Sequence, residues 1–203
     1  MKNHRIIFAT SNEGKMKEVR MILADLGLEI LSMKEAGILA DIVEDGKTFE
    51  ENACIKAGQI QKLAGGIVLA DDSGLEVDYL DGAPGIYSAR YMGEDTSYDI
   101  KNQAIIDKLA DAKGEERSAR FVCAIAAALP DGRLLTTRGT IEGQIGYEIV
   151  GEGGFGYDPI FYLPERGMTT AQLSPEEKNQ ISHRGKALEA MKEKLREELG
   201  ACE

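Results

Sequence analysis

Ile67-Val-Leu-Ala-Asp-Asp-Ser-Gly74 is an apolar run that stops at two adjacent carboxylates. A buried strand that delivers Asp71 and Asp72 to its carboxyl end puts them where open α/β sheets keep their active sites. Neighbouring carboxylates repel each other, so a site holding both usually holds a divalent cation as well. The competing reading is a surface turn, since Asp-Ser-Gly is ordinary turn chemistry.

What lies on either side favours the sheet. Upstream, Thr48-Phe-Glu-Glu51 reads as a capping box that opens a helix. Ala53, Ala57, Ile60 and Ala64 mark its buried face, and Gly65-Gly66 ends it. Earlier still, Arg5-Ile-Ile-Phe-Ala-Thr10 reads as a strand, and Met16, Val19, Ile22, Leu23 and Leu26 recur at helical spacing before a stop at Gly27. Strand, helix and strand in alternation indicate an α/β layer arrangement.

Downstream, Leu75–Leu80 reads as a further strand closed by the turn Asp81-Gly-Ala-Pro84, and a helix is predicted over Ser97–Leu109. Phe121–Leu129 and Leu134–Ile141, joined by Pro130-Asp-Gly-Arg133, form a hairpin, which makes the sheet mixed. Ser174-Pro-Glu-Glu177 opens a short helix with Pro175 at its first position. A final helix runs from Ser182 to about Leu199.

The 203 residues suffice for one domain, or one domain with two lobes. No stretch approaches the ~20 apolar residues of a membrane span, and Met1-Lys-Asn-His-Arg-Ile-Ile-Phe has no signal-peptide profile. Cys54, Cys123 and Cys202 are odd in number and form no CxxC pair, which predicts reduced thiols in a cytoplasmic setting. The formal charge of −11 argues against a general nucleic-acid binder. A few local lysines can still dominate an anion site.

Four segments carry candidate chemistry. Thr10-Ser-Asn-Glu-Gly-Lys15 lies between strand and helix, where free N–H groups and the dipole suit a phosphate; an ordinary turn with a solvated lysine is the competing reading. It is not a Walker A loop, because Ala9 and Met16 stand where glycine and Ser/Thr are needed. Lys56 sits at the edge of its helix's apolar face, with Asn52 one turn earlier, and either snorkels to water or shares a polar site. Glu44, in Val43-Glu-Asp-Gly46, is a further acid available to a metal. Gly153-Gly-Phe-Gly-Tyr-Asp-Pro159 brackets aromatic rings with glycines, so Phe155 is placed to stack on a base and Asp158 to accept from it. Lys178 and Ile181-Ser-His-Arg184 add donors suited to a carbonyl or phosphate. His4, the other of two histidines, is read as incidental.

Together with Phe49-Glu-Glu-Asn-Ala53, Ala70-Asp-Asp-Ser-Gly74 and Gly82-Ala-Pro-Gly-Ile-Tyr-Ser-Ala-Arg90, and in chain order, these segments resemble the inosine triphosphatase, or Ham1-like, family. The resemblance spans nearly the whole chain as a single domain. It implies an elongated mixed β-sheet with flanking helices and two lobes around a central cleft. It also implies a Mg²⁺-dependent homodimer that hydrolyses ITP, dITP and XTP to the monophosphate and pyrophosphate. By carry-over, Thr10, Ser11, Asn12, Glu13, Gly14, Lys15 and Lys56 hold the triphosphate, and Ser73 lies beside it. Asp72 is the acid–base residue and a metal ligand, with Glu44 and Asp71 completing the metal shell. Phe155, Gly156, Tyr157, Asp158, Lys178, His183 and Arg184 form the nucleotide and base pocket.

The chemistry then expected is attack by water on the α-phosphorus, with Lys15, Lys56 and Lys178 absorbing charge on the leaving pyrophosphate. A donor from His183 or Arg184 would read the 6-oxo group that separates hypoxanthine and xanthine from adenine. Two readings compete: a Maf-like pyrophosphatase of other nucleotides, and a nucleotide-binding regulator without turnover. A haloacid-dehalogenase-type phosphatase is disfavoured, since its acids are spaced Asp-x-Asp and these are adjacent.

Overall fold

The computed structural model describes residues 5–200; His4 and Cys202 lie outside them. Among these described residues the elements are seven strands and five α-helices: β1 (Arg5–Phe8), α1 (Glu13–Leu23), β2 (Glu29–Ser32), α2 (Phe49–Ala64), β3 (Ile67–Val77), α3 (Tyr98–Lys108), β4 (Ser118–Ala128), β5 (Leu134–Ile145), β6 (Phe161–Leu163), β7 (Met168–Thr169), α4 (Pro175–Ile181) and α5 (His183–Gly200). The sheet order is β2-β1-β3-β4-β5-β6-β7. β1 pairs in parallel with β2 and β3, while β6 pairs antiparallel with β5 and β7, so the sheet is mixed as expected. The turn between β4 and β5 is closed by Leu129 N–H donating to the Arg133 carbonyl at 2.9 Å.

The diacid does not end its strand. β3 runs on to Val77, and Asp78–Leu80, expected to be strand, forms a 3-10 turn. A strand tolerates two acids when each finds a partner, and both are buried here. Three short strands (β2, β6 and β7) escaped the sequence reading, because two to four residues give too little alternation to register. The helix expectations hold closely. Thr48 caps α2 by accepting from Glu51 N–H at 3.1 Å, but the Glu51 carboxylate accepts from Lys47 N–H, one residue ahead of the expected partner. Pro175 opens α4 inside a complete capping box between Ser174 and Glu177.

The chain divides into two compact units. The first takes the residues up to Asp72, Cys123–Gly139 and everything from His183 on; the second takes Ser73–Val122 and Thr140–Ser182. Each has its own core. In the first, Ile6, Phe8, Met16, Val19, Leu23, Leu69 and Ile125 pack with Leu188, Met191 and Leu195 of α5. In the second, Leu75, Ile105, Leu109, Ile145, Ile160 and Phe161 do so, with the Phe121 and Phe161 rings stacked at 4.3 Å. Arg117 is fully buried there, yet its guanidinium donates to the carbonyls of Leu109, Ile145 and Gly146, which is how a buried cation avoids an unpaired charge. Among the described residues no helix is long and apolar enough to cross a membrane, and neither Cys54 nor Cys123 forms a disulfide.

Candidate active site

In the first unit, β1 hands the chain to a loop that starts α1. Asn12 is the N-cap of α1: its side-chain oxygen accepts from Lys15 N–H at 3.1 Å, and its own N–H donates to Thr10 Oγ1. The first-turn N–H groups of Glu13 and Gly14 belong to a helix end that has no intrahelical acceptors, and Lys15 is the third residue of α1, where a side chain leans back toward that end. Lys15 Nζ lies 2.9 Å from Asp71 Oδ2 and donates to Oδ1 at 3.1 Å.

α2 brings the second group of side chains. Asn52 is buried and bridges two elements: its Oδ1 accepts from Gly46 N–H at 2.9 Å, and its Nδ2 donates to Asp72 Oδ2 at 3.0 Å. Lys56, one turn on, donates to the Asp71 carbonyl at 2.9 Å and pairs with Glu44 at 2.9 Å. The snorkelling reading of Lys56 therefore gives way to the shared polar site. A cavity of about 710 Å³ opens beside Thr10, Ser11, Glu44 and Lys56, lined further by Lys34 and Asp41.

The electrostatics separate the two acids. Burial pushes the Asp72 carboxyl up to about 6; Asn52 and Lys56 resist the rise, while the charges of Glu44 and Asp71 add to it. Burial disfavours ionised Asp71 too, but the charges of Lys15, Arg184 and Lys56 outweigh it and hold that carboxyl well below the usual range. Lys56 is raised, since Asp71, Glu44 and Asp72 outweigh its desolvation.

α5 begins at His183 and Arg184, both buried. Arg184 is committed to carboxylates: one terminal nitrogen pairs with Glu18 of α1 and the other lies 3.4 Å from Asp71 Oδ2. Gly139 of β5 permits this seating. A Cβ there would sit 2.2 Å from the His183 carbonyl oxygen and 2.8 Å from Ala187 N.

In the second unit, Asp158 is a hub. Its Oδ2 accepts from Phe155 N–H and from Lys178 Nζ, each at 2.8 Å, and its Oδ1 accepts from Thr170 Oγ1 at 2.8 Å. The Lys178 ammonium also lies 4.6 Å from the centre of the Phe155 ring. The glycines of the loop serve this hub: a Cβ at Gly154, which has φ +72°, would lie 2.2 Å from Asp158 Oδ2. The Gly156 carbonyl accepts from buried Asn102 of α3, and Tyr157, edge-on to Tyr98, donates its hydroxyl to the Ser88 carbonyl. Ser73 is the first residue of this unit, in β3.

The structure thus joins Lys15, Lys56, Glu44, Asp71, Asp72 and Arg184 in the first unit. In the second it joins Phe155, Gly156, Tyr157, Asp158 and Lys178. Glu18, Thr170 and Asn102 were missed by sequence reading. Glu18 and Asn102 are ordinary polar residues in helices and carry no motif. Thr170 stands in Thr169-Thr-Ala-Gln172, whose turn-capping pattern was the one available signal. Replacing Thr170 with Val removes the bond to Asp158 at nearly constant volume; about 1 kcal/mol of stability should be lost, read as a lower urea midpoint with unchanged slope.

Residues 6–194 match the family model described as the Ham1 family. The chain belongs to the Ham1 family. A dITP/XTP pyrophosphatase of Exiguobacterium sibiricum is 49% identical over 196 residues, covering 97% of this chain and 99% of the relative. One of Clostridium perfringens is 49% identical over 198 residues, covering 95% and 97%. Among solved structures, a HAM1 protein from Coxiella burnetii superposes with a TM-score of 0.86 at 42% identity, covering 95% of this chain and 98% of that one. The Staphylococcus aureus Ham1 protein does so with a TM-score of 0.85 at 42% identity, covering 96% and 99%. The mixed α/β architecture expected from the sequence is therefore that of the Ham1 proteins.

Proposed function

We propose that the protein is a nucleoside triphosphate pyrophosphohydrolase that converts dITP, ITP and XTP to the monophosphate and pyrophosphate, removing deaminated purines from the nucleotide pool. The observation that carries this reading is Asp72: a buried carboxyl with a pKa of about 6, beside Lys56 and Glu44, in a family with relatives named dITP/XTP pyrophosphatases. A base poised near neutral pH is what proton abstraction from water requires.

Asp72 and Glu44 would hold the metal, taken as Mg²⁺. The donor set fits, because Mg²⁺ is usually bound through one or two carboxylates, with water and substrate phosphates completing its shell. Bound there, the ion would offset repulsion between the nucleophile and the polyphosphate. The remaining work falls to the protein. Asp72 accepts the proton of the water attacking the α-phosphorus, while Lys15, Lys56 and the N-terminal turn of α1 take up charge on the leaving pyrophosphate. Thr10, Ser11 and Asn12 shape that turn, and Ser73 stands next to the base in sequence. Phe155, Gly156, Tyr157 and Lys178 are assigned to the purine, with Asp158 holding Phe155 and Lys178 in place; Lys178, expected in both the phosphate and the base site, keeps only the second by its place against Phe155. His183 keeps its role toward the nucleotide. The two units act as a single catalytic domain, and the protein works as a cytoplasmic homodimer, for which light scattering should return twice the chain mass.

The pH dependence follows from Asp72, which must be ionised to act. With the free protein at limiting Mg²⁺, log kcat/KM is expected to be flat from pH 7 to 8 and to fall with unit slope below about pH 6. A profile flat to pH 5 would remove Asp72 as the base.

The direct test supplies Mg²⁺ and dITP, XTP, dATP, dGTP or dTTP separately and resolves the products. Monophosphate and pyrophosphate from dITP and XTP, with little from the others, is the expected result. Diphosphate and orthophosphate would mean attack at the γ-phosphorus. Preference for dTTP would point to the Maf-like activity, and binding without turnover to a regulator.

A further inference from the structure

Successive side chains of a strand point to opposite faces of the sheet, and β3 stays extended through both of its acids. The two carboxylates accordingly serve different neighbours. Asp72 meets Asn52 of α2, whereas Asp71 meets Lys15 of α1 and Arg184 of α5. The Asp71 side chain is 1% exposed, and its two oxygens receive Lys15 at 3.1 and 2.9 Å and Arg184 at 3.4 Å. Lys15, by contrast, keeps 21% of its side chain exposed. Its ammonium is thus held on a buried anion by a side chain that solvent still reaches, at the third position of α1.

We propose that Asp71 is a positioning residue for polyphosphate binding and not a ligand of the metal. This rests on the functional reading above. A free lysine has four rotatable side-chain bonds and loses that freedom when it engages a phosphate. Asp71 removes the loss in advance by holding Lys15 beside the first-turn N–H groups of α1, so ammonium and helix end meet the same phosphate. Arg184, bridging Asp71 and Glu18, fixes the far side of the carboxylate. The arrangement carries a cost, since the Asp71 charge also repels the incoming phosphate. Positioning and repulsion predict opposite signs for its removal, which makes the proposal decidable.

The test measures binding, not turnover, with two probes: inorganic tripolyphosphate without metal, by calorimetry, and Mn²⁺ as a spectroscopic stand-in for Mg²⁺. Asp71→Asn is expected to weaken tripolyphosphate roughly ten-fold and to leave Mn²⁺ affinity within about two-fold, whereas Asp72→Asn weakens Mn²⁺ at least ten-fold. Because the effect passes through Lys15, Asp71→Asn combined with Lys15→Met should bind tripolyphosphate no more weakly than Lys15→Met alone. Equal loss of Mn²⁺ in the two aspartate variants, or tighter tripolyphosphate in Asp71→Asn, overturns the proposal. If Asp71→Asn does not fold, Asp71→Glu keeps the buried charge but displaces it, and the same split between the probes is required. A wild-type protein that binds neither probe would instead sink the functional reading beneath it.

Discussion

Asp72→Asn is expected to lose turnover by ~100-fold or more, the scale of an absent general base, and at the same time to make the protein harder to unfold. The second half follows from linkage. Burial and neighbouring acids raise this carboxyl from its ordinary 3.8 to about 6 in the folded chain. At pH 8 it is ionised in both folded and unfolded states, so the folded state alone bears the unfavourable charge, at roughly 3 kcal/mol. Below pH 4 both states hold the proton and the difference vanishes. Asparagine keeps an oxygen for Asn52 and removes the charge. Urea midpoints of wild type and variant should therefore separate at pH 8, with the variant higher, and converge near pH 4. A variant of wild-type activity, or one less stable at pH 8, contradicts the environment described for Asp72.

Arg184→Ala is expected to be the most destabilising single change at the site. The guanidinium is 2% exposed and bridges Glu18 and Asp71, and its own ionisation is favoured because those two charges outweigh desolvation. Truncating it leaves two carboxylates in a buried setting without it, a class of change that costs about 3–5 kcal/mol. That is a large share of the ~5–15 kcal/mol a domain has in hand. The urea midpoint at pH 7.5 is the measurement. A loss under about 0.5 kcal/mol would mean that the bridge does not exist in solution. Lysine should rescue little, because one ammonium cannot span two carboxylates as the planar fork does. Any shift in preference between dITP and dATP is expected to be secondary to this loss.

The sequence made much of this legible where residues act through periodicity or local chemistry. The cap at Thr48, the proline opening α4 and the strand carrying the diacid were all readable, because each depends on a few neighbouring residues. What was not readable depends on contacts distant in sequence. Arg184 looked like a donor for a base; its pairing with Glu18 links residues 166 positions apart. Asp158 looked like an acceptor for a base; both of its oxygens are engaged within its own unit, by Phe155, Lys178 and Thr170. The stop after Asp71-Asp72 misled for a related reason. Adjacent acids suggest a turn until the partners that permit an extended strand are known.

Gly139 carries a consequence for how variation in this protein should be interpreted. It lies in a strand, bears no chemistry and would pass as a neutral position in any survey of substitutions. Yet the only space it leaves is filled by the backbone at the head of α5. A single added methyl cannot be accommodated by swinging a side chain aside; it must push the helix that carries His183 and Arg184. Misplacement by about 1 Å can cost two orders of magnitude in rate. Drift at a silent-looking strand position would thus surface as a catalytic defect, with its cause hidden behind the residues it moves.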